Sequence, residues 1–283
     1  MKINYLTLIN AVILLSWTVN LQAEGPMGLP ANMLGNEQWS LGIEFGQGEA
    51  DWSADGQCTE TVIGIGSDSY QQNFQIENLR SNMVFGQLAY GLTQDCDVFV
   101  RLGAVQSEAN IRVPATTFST GNAGRTRFDS DYGFAGGAGI RTTFYRGEAL
   151  SLGGLLQGTW FEPSGSRFIY GYPGSIETLV TNVNLRYFQT KLSLTGMYRE
   201  EHWYLWMGPF LQYIKGDLDM EALYYFDDVA TGSITCAGRL DDNVHLGAHL
   251  GAGLRINGLT YRLEGQFTNE SWLWTLGVII RVK

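Results

Sequence analysis

Beyond its first 23 residues, the chain has no apolar run near the roughly 18 residues that a membrane-crossing helix needs. If the protein enters a membrane, it must do so by strands, because only helices and closed barrels satisfy their backbone hydrogen bonds in hydrocarbon. Basic residues are also scarce: 18 Lys and Arg stand against 28 Asp and Glu, for a net charge of −10. This balance argues against a nucleic-acid partner, which requires a basic patch.

Histidine and cysteine are rare, with three of each. Three histidines do not allow a Ser-His-Asp arrangement to be assembled, so we expect no enzyme activity and no cofactor. His245 and His249 stand four residues apart, a separation of about 13 Å on a strand that rises about 3.3 Å per residue. They share a face but cannot share a metal ion. We therefore predict two lumen histidines and no metal site.

The N-terminus has the pattern of a secretory signal peptide. A short apolar run from Leu8 to Trp17 follows Lys2, and Leu21-Gln22-Ala23 offers a small residue at a cleavage point. A retained anchor helix is the alternative. The next stretch carries two prolines and no periodicity. We predict a signal peptide over 1–23, a periplasmic lead-in over 24–37 and a barrel domain over 38–283.

The clearest pattern runs from Asn243 to Phe267. From Val244 to Ile256, apolar residues alternate with glycine, histidine and arginine, and the alternation resumes after Asn257-Gly258. Asn-Gly is the strongest two-residue hairpin signal, because both positions of its turn need positive φ. One apolar face and one face of glycines and isolated charges are typical of strands between lipid and a narrow polar lumen.

The same alternation recurs along the chain and predicts ten strands, with eight or twelve as alternatives. Short connections alternate with long ones at 47–77, 107–130, 162–181 and 216–242, and aromatic residues lie near the predicted strand ends. Short periplasmic turns, long outer loops and aromatic girdles are features of outer-membrane barrels. We predict an all-β fold, a closed antiparallel transmembrane β-barrel. A soluble barrel or sandwich with its apolar face inward is the alternative.

Two segments carry a resemblance to a known family. Tyr90 to Gly103, YGLTQDCDVFVRLG, resembles the strand-turn-strand unit of the broad OmpA-like and porin-like group of bacterial outer-membrane β-barrel proteins. Gly277 followed by Ile280-x-Val282 is similar to the terminal strand signal that the barrel assembly machinery reads. The resemblance implies location in the outer membrane, contact with its lipid and lipopolysaccharide, and insertion by that machinery.

Charged residues fall on the predicted inward face. They allow two interpretations: a basic constriction that selects anions, or an interior closed by ion pairs and hydrogen bonds. Ten strands lie close to the eight-stranded size at which side chains fill a barrel, which favours the closed interior. The predicted lumen-lining residues are Glu44, Asp97, Arg101, Arg141, Lys191, His245, His249, Arg255, Arg262, Glu264 and Arg281.

The outer loops suggest both a disulfide and a function. Cys58 and Cys236 fall in the first and fourth outer loops, whereas Cys96 falls at a periplasmic turn. We predict a Cys58–Cys236 disulfide, since the compartment is oxidising and these two share a side. The same two loops hold thirteen acidic residues and one basic residue. We expect a structural, adhesive or ligand-binding role through them. A narrow small-solute channel is the alternative, and a lipid-modifying enzyme or protease is the second alternative.

Overall fold

The computed structural model describes residues 26–27, 34–113, 124–171, 177–226, 229–240 and 244–282. The predicted signal peptide and most of the lead-in lie outside these residues. Within them, no helix is long and apolar enough to cross a membrane. The described strands are β1 (Trp39–Val62), β2 (Gly66–Gly91), β3 (Cys96–Val113), β4 (Gly124–Asp129), β5 (Asp131–Arg146), β6 (Leu150–Ser164), β7 (Ser166–Gly171), β8 (Glu177–Arg199), β9 (Trp203–Phe226), β10 (Val229–Leu240), β11 (Val244–Ile256), β12 (Leu259–Phe267) and β13 (Ser271–Val282).

Ten of the described strands close a ring, which we call the membrane ring. Its order is β1-β2-β3-β5-β6-β8-β9-β11-β12-β13, and every neighbouring pair is antiparallel. The ring closes where β13 pairs with β1, from Trp39 opposite Val282 to Ala50 opposite Ser271. This arrangement confirms the predicted closed, ten-stranded antiparallel barrel.

The outer surface of the membrane ring is apolar. Leu41, Ile43 and Phe45 on β1 are each about half exposed, at 49%, 53% and 56%. Comparable side chains continue around the other strands, so the exposed apolar area forms a belt rather than a patch. At its periplasmic edge the rings of Trp39 and Tyr90 lie 4.6 Å apart. A soluble protein does not expose such a belt, so the alternative of a soluble barrel is wrong and the ring spans a membrane.

Beyond the membrane ring, the strands continue into a second structure, which we call the outer extension. It comprises β4, β7, β10 and the outer parts of β1, β2, β3, β8 and β9. Here β1 leaves β13 and pairs instead with β10, from Ala54 opposite Leu240 to Val62 opposite Gly232. The short hairpin β12–β13 is thereby bypassed.

The predicted long outer segments are present, and most of their described residues form strands. For example, β1 and β2 occupy most of 47–77, and only residues 63–65 connect them. The physical reason is an inversion of polarity along each strand. Within the membrane ring the outward side chains are apolar, but in the outer extension the inward ones are, such as Ala54, Phe74 and Ile76. The loss of the outward apolar pattern therefore does not mark the end of a strand.

The inward side chains of the outer extension form an apolar core. The buried residues include Phe74, Phe128, Val183, Leu218 and Ile234, from five different strands. Where this core meets the membrane ring, the rings of Phe161 and Tyr187 stack 4.7 Å apart. The extension is thus built like a water-soluble β-domain, in which burial of apolar area stabilises the fold.

The glycine face of β11 has a packing role that the sequence did not reveal. Gly251 and Gly253 stand opposite Trp206 and Tyr204 of β9. A Cβ atom on either glycine would come within 2.2 Å of the facing ring. The glycines therefore provide recesses in which the inward aromatic rings of β9 lie. At the end of this strand, β11 and β12 are joined at Asn257 and Gly258, whose φ values of 51° and 81° match the predicted turn.

A disulfide joins β1 to β10 inside the outer extension. Cys58 and Cys236 face each other in register and are bonded across a sequence separation of 178 residues. Both side chains are buried. The bond fixes the strand pairing that exists only in the extension.

We expect the variant Cys58→Ala with Cys236→Ala to lower the free energy of unfolding by about 2–4 kcal/mol, since the crosslink restricts the unfolded chain. Tryptophan fluorescence during urea unfolding in detergent micelles measures this quantity. The matched control is Cys96→Ala, which removes the free thiol. Equal unfolding midpoints for the double variant and the control would contradict the prediction.

Candidate functional site

Two buried ion pairs lie inside the membrane ring. Arg141 on β5 donates through Nε to Asp97 Oδ1 of the neighbouring β3 at 2.6 Å. Arg262 on β12 pairs with Glu44 on β1, although β13 lies between these strands. The register explains this reach, because Gly277 of β13 stands opposite both residues. A Cβ atom at Gly277 would lie 2.6 Å from Arg262 Nε, so only glycine leaves the guanidinium room to cross.

Three further predicted lumen residues, Arg101, Lys191 and Glu264, also make buried contacts. Lys191 on β8 donates to Gln266 on β12, and Gln266 in turn donates through Nε2 to Glu264 Oε1 at 2.7 Å. Arg101 donates to Thr159 and lies over the rings of Phe85 and Phe99 at 5.2 and 6.0 Å. These contacts connect strands that are two or three positions apart in the ring.

These charged side chains are almost fully removed from water, with exposed fractions of 0 to 3%. The set is Glu44, Asp97, Arg101, Arg141, Lys191, Arg262 and Glu264. A continuous water-filled passage would expose the groups that line it. The geometry therefore favours the closed interior over a basic constriction.

The described residues of the predicted lead-in also occupy part of the lumen, which the sequence did not predict. The carbonyl oxygen of Pro26 accepts hydrogen bonds from Arg101 and from Gln157 Nε2, the latter at 3.0 Å. Met27 and Leu34 are buried in one apolar cluster with Phe99 and other wall residues. The segment without periodicity thus supplies part of the barrel's interior. Its apolar side chains, such as Met27 and Leu34, were the feature of the sequence that could have indicated this burial.

The other predicted lumen residues lie at different levels. His249 is buried and its Nε2 lies 2.8 Å from Thr195 Oγ1. His245 lies higher, with Nδ1 3.5 Å from a carboxylate oxygen of Glu270. Arg255 and Arg281 occupy the periplasmic ends of β11 and β13 and are partly or fully exposed. The predicted set therefore divides into a buried network, an outer histidine and a periplasmic pair.

The two acidic segments meet on one sheet, which we call the acidic face: the outer parts of β1 and β2 (47–62 and 66–77) with the outer part of β9 and β10 (216–226 and 229–240). The pairing of β1 with β10 and the Cys58–Cys236 bond place the two hairpins side by side. Asp55 and Glu221 project outward and are exposed, and Asp68 is exposed near the tip of the β1–β2 hairpin. Burial, and then the carboxylates of Glu60 and Asp68, raise the pKa of Tyr70 on this face.

A cavity of about 310 Å³ lies at the base of the acidic face, where β1 changes partner from β13 to β10. Its lining combines an aromatic ring and aliphatic side chains with three carboxylates and an imidazole. These polar and aromatic residues are Asp51, Trp52, Glu77, His245 and Glu270. Carboxylates beside an aromatic ring suit a cationic group. Among the residues that the structure describes, no cluster of three or more His, Cys, Asp or Glu could hold a metal ion.

The apolar belt, the polar interior and the short periplasmic turns identify the chain as an outer-membrane β-barrel. No protein-family model and no curated protein matches it. Its fold is similar to that of the Escherichia coli outer membrane protease OmpT, at 12% identity and TM-score 0.42, over 86% of this chain and 94% of that one.

Two further solved structures are similar at the same level. The toluene transporter TbuX of Ralstonia pickettii has 11% identity and TM-score 0.40, over 93% of this chain and 94% of that one. The translocator domain of the autotransporter NalP of Neisseria meningitidis has 15% identity and TM-score 0.40, over 89% and 90%. At these identities and TM-scores, none of the three defines the activity of this chain.

The Glu44–Arg262 pair predicts a large loss of stability when one partner is removed. We expect Glu44→Gln or Arg262→Met alone to cost about 3–5 kcal/mol, because the other charge stays buried without its partner. The double variant should cost less than the sum of the two. Urea unfolding of the refolded barrel measures all three.

The matched control for this experiment is Arg127→Met, which removes an exposed pair with Glu108 at 2.9 Å. An exposed pair contributes about 0–1 kcal/mol. Additive losses for Glu44→Gln and Arg262→Met, each as small as the control, would show that the buried pair does not form.

Proposed function

We propose that this protein is a closed, non-enzymatic outer-membrane barrel that binds an extracellular cationic partner through its acidic face. The observation that carries the proposal is the joining of two acidic hairpins on one disulfide-linked sheet. Since that sheet has a packed apolar core, its carboxylates are held in fixed positions. A rigid surface loses little conformational entropy on binding, which favours a recognition role.

The membrane ring supports this proposal as an anchor. Its belt is expected to contact outer-membrane lipid and lipopolysaccharide, and its insertion to require the barrel assembly machinery. The buried ion pairs and the lead-in leave the ends of the molecule as the surfaces that can meet a partner. Charge complementarity then favours a basic protein segment or polyamine at the outer end.

Neutralising the acidic face should weaken binding of a cationic probe. We expect Asp55→Asn, Asp68→Asn and Glu221→Gln together to reduce binding of a fluorescent decalysine peptide several-fold at low ionic strength. The difference should vanish near 1 M salt, where the screening length falls to about 3 Å. Fluorescence anisotropy with the purified barrel in detergent micelles measures the affinity.

The matched control carries the same charge change elsewhere on the outer surface: Asp129→Asn, Asp131→Asn and Glu162→Gln, all exposed near the β4–β6 side. If this control weakens binding as much as the acidic-face variant, net charge rather than the joined sheet attracts the peptide. If neither the acidic-face variant nor the control changes peptide binding, the proposed function is wrong.

A narrow channel is the second candidate, and one observation favours it: the lead-in, rather than the wall alone, fills part of the lumen. We expect the intact barrel to show no stepwise current in planar bilayers. Deletion of residues 24–33 should produce small steps, because Arg101 and Gln157 lose the carbonyl that they hold. Stepwise current from the intact protein would favour the channel over the closed barrel.

A further inference from the structure

Three arginines meet at the periplasmic mouth of the barrel. Arg199, Arg255 and Arg281 lie at the ends of β8, β11 and β13, each in step with the inward-facing positions of its strand. Arg199 stands opposite Tyr204 of β9, and Tyr204 also stands opposite Gly253, two positions before Arg255. The three arginines lie within electrostatic range of one another. We call these residues, together with Tyr204, the arginine cluster.

Among the described residues, no carboxylate pairs with these three arginines. Four described carboxylates at this end contact other groups. Asp97 pairs with Arg141, and Asp95 pairs with Arg146 at 3.1 Å. Glu200 accepts a hydrogen bond from the Tyr198 hydroxyl, and Glu201 lies 3.8 Å from His202 Nδ1. The Nε atoms of Arg199 and Arg255 are buried and have no hydrogen-bond partner. Three like charges thus lie close together without an ion pair of their own, an arrangement that repulsion disfavours.

The floor of the cluster contains two more donors without partners. Tyr204 is 2% exposed, and its hydroxyl makes no hydrogen bond although all three arginines lie within electrostatic range. Trp206, also 2% exposed, stacks on Tyr204 at 5.5 Å and leaves its Nε1 unpartnered. Buried polar groups in native proteins nearly always have a partner, so each such donor points to a missing acceptor.

A glycine on the neighbouring strand leaves room for the ring of Tyr204. Gly253 stands opposite Tyr204, and a Cβ atom there would lie 2.0 Å from its ring. Met197 and Ile279 complete the buried apolar cluster beneath the two aromatic rings. The phenol is therefore fixed by packing rather than by a hydrogen bond.

We propose that the arginine cluster binds a phosphate group, either free or on a lipid headgroup. The site presents guanidinium N–H groups from three strands and a phenol O–H, all of which can donate to an anion. A tetrahedral oxyanion with several acceptor oxygens can meet donors from separate strands, whereas one arginine fork satisfies a monocarboxylate. Binding also relieves the repulsion among the arginines. This site lies at the opposite end from the acidic face and does not depend on the proposed function.

The first test is calorimetric titration of the refolded barrel in maltoside micelles with sodium phosphate, in a phosphate-free buffer. Saturable binding is expected, and Arg255→Gln or Arg199→Gln should each weaken it about tenfold, the usual effect of losing one charged hydrogen bond. Tyr204→Phe keeps the ring and removes only the hydroxyl, and should weaken binding about threefold to tenfold.

Arg127→Gln is the matched control, with the same charge change at the outer end, and it should bind phosphate as the unchanged protein does. Heat-modifiable migration on gels confirms that each variant is folded. The proposal is overturned if phosphate shows no saturable binding, if Arg255→Gln and Tyr204→Phe bind like the control, or if acetate binds as tightly as phosphate.

Native mass spectrometry separates the two sources of phosphate. Retention of added phosphatidylglycerol but not of diacylglycerol, lost in Arg255→Gln, supports a lipid headgroup. Saturable binding of inorganic phosphate without lipid retention supports a free ligand. Loss of decalysine binding in the acidic-face variant would leave both results unchanged.

Discussion

Every backbone N–H and C=O group inside a bilayer needs a partner within the protein, so a strand that loses its neighbour must find another before the sheet can continue. The inner part of β1 pairs with β13 and closes the membrane ring, while its outer part pairs with β10. The change of partner at residues 51–53 bypasses a short hairpin and carries the wall beyond the membrane. The disulfide, the joined acidic hairpins and the cavity beneath them all result from this change.

Whether lipid or water surrounds a part of the barrel determines which side chains lie in its interior. Within the membrane ring, the apolar side chains face the lipid. The interior holds charged residues, among them Glu44, Asp97, Arg141 and Arg262. These charges are tolerable only in pairs, because an unpaired buried charge is costly. In the outer extension, water surrounds the wall and the apolar side chains turn inward. The same alternation of side chains along a strand therefore places apolar residues on the outside in the membrane ring and on the inside in the outer extension.

Much of the fold could be predicted from the sequence, and the limits have physical causes. Alternation along Val244–Ile256 and the Asn257-Gly258 turn were sufficient for the hairpin, since both depend on local geometry. The outer strands could not be recognised in the same way, because the apolar face changes side near Phe45 and Ala50. The partners of the inward residues depend on distant contacts: nothing near Arg262 in sequence indicates Glu44, and nothing near Arg101 indicates Pro26.

The closed interior restricts where the protein can act. Because buried ion pairs and residues 26–27 of the lead-in occupy the lumen, we expect a partner to meet the molecule at one of its two ends. Carboxylates of two hairpins gather on the outer sheet, whereas Arg199, Arg255 and Arg281 gather at the periplasmic mouth. The proposed cation-binding surface therefore lies at the outer end, and the proposed phosphate site lies at the periplasmic end. Because rigid strands connect the two ends, each set of charges is held in place by the same closed ladder of hydrogen bonds.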